Sequence, residues 1–197
     1  PHIVYFLGTW SEKPRDPPVP PKELPPITLI LSAYNEEEIL PARVRNLAES
    51  TYPKDRVEII LVDDFSQDGT ALVAGASLQG SGFSHRVIRN SERLGTNRSY
   101  NRAIPFASHP IVVTTDADVF FEPDALARVV TRLLSDDRIV AVCGDLRPVP
   151  EKTGTNAFES VYRNFFGRMC DWESRIDSTY TFNGALVAFR KDRVNRI

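Results

Sequence analysis

The chain has 197 residues, 42% of them hydrophobic, and a formal net charge of −2; that is enough for one buried core and lacks the basic excess of a nucleic-acid-coating protein. Cys143 and Cys170 are too few for a disulfide framework and suit a reducing compartment, and the three histidines are too scattered for a zinc site. No apolar run reaches the ~18–20 residues of a membrane-spanning helix.

Residues 1–26 read as a short apolar stub, Ile3 to Leu7, and a spacer in which seven of the thirteen residues from Pro14 to Pro26 are proline. Such a spacer runs extended and stiff. From residue 27 to 197 apolar runs of strand length alternate with stretches of helical period, the pattern of an α/β domain with a mostly parallel sheet flanked by helices. The strands are expected over 27–33, 57–62, 86–89, 111–115, 139–143 and 185–189. Helices are expected over 36–50, 69–78, 96–107 and 123–134, the last with Pro123 in its first turn, where a missing N–H is harmless. A polar and aromatic stretch, 153–174, reads as mostly helical and breaks the alternation, as an insertion beside the sheet does.

Open α/β sheets bind ligands at the carboxyl ends of their strands. Here the first run ends in Tyr34-Asn35-Glu36, the second in Asp63-Asp64 and the fourth in Asp116-Ala117-Asp118. Carboxylates gathered at one edge repel one another unless a cation or hydrogen-bond donors offset them. A hard divalent ion that also binds phosphates needs only one or two protein carboxylates, which Asp116 and Asp118 supply. In Asp63 through Thr70, Ser66 and Asp68 suit turns and a helix start, and a carboxylate at this strand end suits the ring N–H of a uracil or guanine base. Gly95 opens a helix carrying Arg98 and Asn101, an arrangement that favours phosphate.

Leu31 to Glu36, Asp63 to Thr70, Gly95 to Asn101 and the Asp116-Ala117-Asp118 triplet, taken in order, resemble the donor-site motifs of family 2 glycosyltransferases over roughly residues 27–190. The resemblance implies a GT-A, Rossmann-like fold, with Ala33, Tyr34 and Glu36 along the nucleotide, Asp64 on its base, and Asp116 and Asp118 serving the ribose, diphosphate and a Mn2+ or Mg2+ ion. Thr181 to Ala185, with Asn183 and Gly184, is similar to the acceptor-side segment of membrane polysaccharide synthases. Where many family members carry a lysine after the glycine of the third motif this chain has Thr96, which shifts the diphosphate contact to Arg93 or Arg98. The catalytic base of inverting members follows a segment of this kind, so it is expected beyond Ile197 rather than at Asp177 or Asp192.

The implied partners are a nucleotide sugar, UDP-linked by resemblance, and an acceptor that is a polysaccharide end, a lipid or a polyprenyl phosphate. The implied location is the cytoplasmic side of a membrane, reached through segments outside this chain. A dinucleotide oxidoreductase is excluded by the absence of G-x-G-x-x-G at the first turn. A haloacid-dehalogenase-like phosphatase is disfavoured by Phe120, which stands where a threonine is needed. A receiver-like module carries its acidic pair after the first strand, not the second. A donor-binding fragment without turnover is the remaining alternative.

Overall fold

The computed structural model describes residues 18–146, 167–174, 178–179, 184–194 and 196–197. The chain divides into two compact units, one of Pro18–Gly144 and Gly184–Ile197, the other of Pro1–Pro17 and Asp145–Asn183. In the second unit residues 167–174 are helical, and the remainder of the stretch expected as helix over 153–174 lies outside the described residues.

The first unit is built on six strands: β1 (Ile27–Ala33), β2 (Val57–Asp63), β3 (Ser84–Arg89), β4 (Ile111–Asp116), β5 (Ala141–Cys143) and β6 (Leu186–Arg190). Their order is β3-β2-β1-β4-β6-β5. β1 to β4 are parallel, as the alternation predicts. β6 runs antiparallel between β4 and β5. An antiparallel pairing of this kind is not subject to the handedness rule of parallel βαβ units. β1 is buried at every position, which only a strand covered on both faces sustains.

Four α-helices follow the strands: α1 (Leu40–Ala48), α2 (Thr70–Gln79), α3 (Thr96–Ala103) and α4 (Ala125–Leu134). α1 starts later than expected, because the N–H groups of Glu36 and Glu37 are taken by side chains of the next loop and Pro41 occupies the first turn. α3 gives way to a 3-10 turn at Ile104–Phe106, where Pro105 cannot continue the α-helical ladder. Residues from α1, α2 and α4 pack on one face of the sheet with Leu29, Leu31, Ile59 and Val113. Tyr100 and Ala103 of α3 pack on the other with Ile30, Ile60 and Val112. The end of the proline-rich segment is tied to this unit: Arg56 Nη1 donates to the Leu24 carbonyl at 2.7 Å, and the Tyr52 hydroxyl donates to the Pro25 carbonyl.

Candidate functional site

Two register pairs locate the site. Ala33 lies beside Asp63, and Ser32 lies beside Asp116. The chain winds one way from β1 to β2 and β3 and the other way to β4, so the sheet changes direction between β1 and β4. Such a switch point leaves a crevice at the carboxyl ends of the strands. Tyr34 to Glu36 leave β1 on one side of it, and Asp116 to Asp118 leave β4 on the other.

The loops after β1 and β2 are stitched together by the Asp63–Thr70 motif. Ser66 Oγ accepts the Asn35 N–H at 2.9 Å, Thr70 Oγ1 accepts the Glu36 N–H at 2.8 Å, and Asn35 Oδ1 accepts the Gln67 N–H at 2.8 Å. In return Glu37 Oε2 accepts the Gly69 N–H at 2.7 Å, and a Cβ on Gly69 would stand 2.6 Å from that oxygen. Asn35 and Phe65 hold φ of 55° and 65°, left-handed values that Asn tolerates and a phenylalanine resists. Ser66, Asp68, Gly69 and Thr70 therefore build the wall of the site. Asp63 belongs to that wall too: it is fully buried, its Oδ1 accepts the Ser66 N–H at 3.0 Å and its Oδ2 faces Arg89 Nε at 3.2 Å.

Asp64 anchors the third motif. Its Oδ1 accepts from the Leu94 N–H at 2.8 Å and Asn90 Nδ2 at 2.7 Å, and its Oδ2 accepts the Gly95 N–H at 2.8 Å. Burial alone would raise this carboxyl, but the donors from Leu94, Asn90 and Gly95 outweigh it and hold it below its ordinary value. Asn90 is the hub behind it, bonded also to Ser99 Oγ at 2.9 Å and Arg102 Nη1 at 2.8 Å. Gly95 precedes α3 at φ 83° and ψ 161°, a conformation open essentially to glycine alone. Gly95→Ala is expected to cost about 1–3 kcal/mol, read as a lower melting temperature; an unchanged melt would remove the requirement for glycine.

At the acidic edge the carboxylates act on one another. Burial raises the Glu36 carboxyl, and Asp118, Asp68 and Asp116 raise it further. Asp116 is raised by burial and by Asp118, against the lowering effect of the Tyr100 hydroxyl, which donates to its Oδ1 at 2.7 Å. Burial and Asp116 push the Tyr100 phenol well above its ordinary value, so it stays a donor. Among the described residues no three His, Cys, Asp or Glu side chains form a ready metal cage. Asp116 with the exposed Asp118 instead offers hard oxygens whose mutual repulsion a divalent ion relieves, with the remaining coordination left to ligand oxygens and water.

The other expected residues divide. Ala33 ends β1, buried beside Asp63. Tyr34 lies under Arg93, whose guanidinium carbon is 3.8 Å from the ring centroid. Arg98 is exposed on the first turn of α3. Asn101 is engaged elsewhere: its Nδ2 donates to the Ile197 carbonyl at 2.6 Å and its Oδ1 accepts the Ile197 N–H at 2.8 Å. Gly184 is exposed in the turn before β6, while Asn183 and Asp177 lie outside the described residues. Sequence reasoning missed Asn90, Arg43 and the role of Tyr100. Only Tyr100, an aromatic inside the third motif one helical turn from its glycine, left a usable signal.

The profile of Glycosyl transferase family 2 matches residues 28–191. The chain belongs to glycosyltransferase family 2. This family 2 chain is 30% identical over 130 residues to the probable glycosyltransferase YdaM of Bacillus subtilis (strain 168), covering 65% of this chain and 31% of the relative. It is 25% identical over 195 residues to the poly-beta-1,6-N-acetyl-D-glucosamine synthase of Staphylococcus aureus (strain COL), covering 97% of this chain and 46% of the relative. The chain thus spans less than half the length of these curated relatives. Among solved structures, the mannosyltransferase PcManGT from Pyrobaculum calidifontis, in complex with GDP-Man and Mn2+, superposes with a TM-score of 0.81 at 29% identity, covering 97% of this chain and 52% of that one. Staphylococcus aureus TarS, in complex with UDP-GlcNAc, shares the fold at TM-score 0.59 and 20% identity, over 84% of this chain and 45% of that one. The GT-A architecture expected from the motifs is present.

Proposed function

We propose that this chain is the donor-binding part of an inverting, metal-dependent glycosyltransferase that takes its sugar from a nucleotide sugar, with a UDP-sugar as the favoured donor. The observation that carries the reading is the pairing of Asp116 and Asp118 with the Tyr34–Glu36 loop across the switch point between β1 and β4. Tyr34 lies along the nucleotide. The Asp64 carboxylate, fixed by the Leu94 and Gly95 N–H groups and by Asn90, stands at the strand end where the base N–H is read. Arg93, already over Tyr34, and Arg98 are the cations that face the diphosphate where the family's lysine is replaced by Thr96.

Asp116 and Asp118 hold the divalent ion, which when bound offsets the charge of the leaving diphosphate. Tyr100 keeps Asp116 aimed into the crevice. The base that activates the acceptor hydroxyl lies outside these residues, and Asn183 and Gly184 border the acceptor. The mannosyltransferase bound to GDP-Man and Mn2+ supports a nucleotide-sugar donor and the ion. The poly-beta-1,6-N-acetyl-D-glucosamine synthase supports a glycan acceptor. The test is calorimetric titration with UDP and with GDP, each with Mn2+ and again with a chelator. Binding that needs the ion and favours UDP is the expected result. Metal-independent binding removes the ion from the reading, preference for GDP reassigns the donor, and binding of neither nucleotide overturns it.

A further inference from the structure

Arg43 is a guanidinium with no exposure and, among the described residues, no carboxylate paired to it. It projects from α1 among Leu40, Val44 and Leu47, fully buried, and its Nε has no hydrogen-bond partner. Its neighbours are Asn46 Oδ1 at 2.7 Å from Nη1, Thr115 Oγ1 at 3.4 Å from Nη2, and the Phe121 ring, whose centroid lies 4.0 Å from the guanidinium carbon. An isolated buried charge is costly, and where packing is the only need an apolar side chain of similar volume serves as well or better. Stability therefore does not account for an arginine at this position.

The contacts point to its use. Thr115 directly precedes Asp116, and Phe121 follows Asp118 by three residues. Arg43 holds both ends of the segment that carries the acidic pair. Asn46, itself fixed by Arg43, doubles the second attachment: its Oδ1 accepts the Phe121 N–H at 2.8 Å and its Nδ2 donates to the Phe121 carbonyl at 2.9 Å. Thr115 passes its own proton to the Ala185 carbonyl at 2.8 Å, so its oxygen faces Arg43 as an acceptor. Burial lowers the guanidinium to about 9, while Asp118 pulls it back up, so it remains a cation at neutral pH.

We propose that Arg43 is a positioning residue for the divalent-cation site, bracing the Thr115–Phe121 segment from beneath and offsetting part of the repulsion between Asp116 and Asp118. The proposal rests on the reading of those two aspartates as cation ligands. It makes Arg43 an outer support of the site, touching neither nucleotide nor ion.

The experiment measures, on the same chain, the melting temperature without ligands and the Mn2+ affinity in the presence of UDP, for wild type, Arg43→Met, Arg43→Gln and Arg43→Lys. Arg43→Met is expected to melt within about 4 °C of wild type or above it. Its Mn2+ affinity is expected to fall by about ten- to a hundredfold, as for loss of other outer-shell supports. Arg43→Gln is expected to lose affinity likewise. Arg43→Lys, which keeps the charge and gives up the two-pronged reach to Asn46 and Thr115, is expected to recover part of the loss. Wild-type Mn2+ affinity in either neutral variant, no recovery in Arg43→Lys, or failure of both neutral variants to fold would overturn the proposal, the last by making Arg43 a structural cation. Absence of Mn2+-dependent UDP binding in the wild-type chain would instead overturn the cation-site reading, and this proposal with it.

Discussion

Asp116→Asn is expected to weaken Mn2+-dependent UDP binding by at least about a hundredfold, beyond the loss typical of an outer-shell partner. The substitution keeps the shape and the Oδ1 that Tyr100 holds, and removes the charge that a hard cation needs. The metal-free protein should respond in the opposite sense. Burial and Asp118 raise the Asp116 carboxyl in the folded state, so its ionisation opposes folding. A raised carboxyl contributes stability that is complete below its ordinary value and lost as pH rises through the folded one. Above the folded value that contribution is gone, and there Asp116→Asn, with no charge to bury, should melt at or above wild type. Protons and the ion also compete for the same oxygens. Lowering the pH from neutral should weaken Mn2+ binding to the wild-type chain as Asp116, its carboxyl raised by burial and by Asp118, takes up a proton. Calorimetry as the pH is lowered, with melts in chelator, checks both signs. Retained Mn2+ affinity in Asp116→Asn would take this aspartate out of the coordination sphere.

Asp64→Ala is expected to lose about 2–4 kcal/mol of stability, a melting temperature lower by roughly 5–15 °C, before any nucleotide is added. The reason is the number of donors it strands: two main-chain N–H groups at Leu94 and Gly95, and an N–H of the buried Asn90 amide, which keeps Ser99 and Arg102. The sign against pH is also opposite to that of Asp116. The Asp64 carboxyl is held below its ordinary value because the donors outweigh burial, so its contribution is present above that value and lost as pH falls through the folded one. The variant should therefore lose part of the acid-induced destabilisation seen in wild type. Weaker nucleotide binding by Asp64→Ala then combines a lost base contact with a displaced Leu94–Gly95 loop. Asp64→Asn, which retains an acceptor for one N–H, should fall between wild type and alanine. An unchanged melt for Asp64→Ala, measured by differential scanning calorimetry, would show that the loop needs no anchor.

What was legible in the sequence is what the hydrophobic effect writes in runs. Ile27–Ala33 is buried end to end and matches its expected span, and β2 and β4 each extend one residue further, into Asp63 and Asp116, because the ladder tolerates the first polar residue of the site. β3 began two residues early because it is an edge strand, exposed at Ser84 and His85, where periodicity carries little signal. The antiparallel entry of β6 could not be read from an apolar run at all, since direction is decided by the connection. At the site, Asp116 and Asp118 could be found from spacing, but the division of labour in the Asp63–Thr70 motif could not. Ser66 and Asp68 could be read as turn and helix-start residues, but not that they and Thr70 take the N–H groups of Asn35, Glu36 and Glu37 in another loop. Arg43 was hidden for the converse reason, since an arginine on a helix reads as a solvated surface charge.

The insertion of β6 beside β4 bears on how the chain is made. Thr115 bonds to the Ala185 carbonyl 70 residues further along. At translation rates of about 5–20 residues per second, roughly 4–14 s separate the synthesis of the two. Through that interval one whole side of β4, with its exposed N–H and C=O groups, has no strand to pair with. The half-finished sheet formed by β1 to β4 is then an open edge in a nascent chain, the geometry that invites pairing with a neighbour. The arrival of Leu186–Arg190 closes that edge at the same moment as it completes the floor under Asp116.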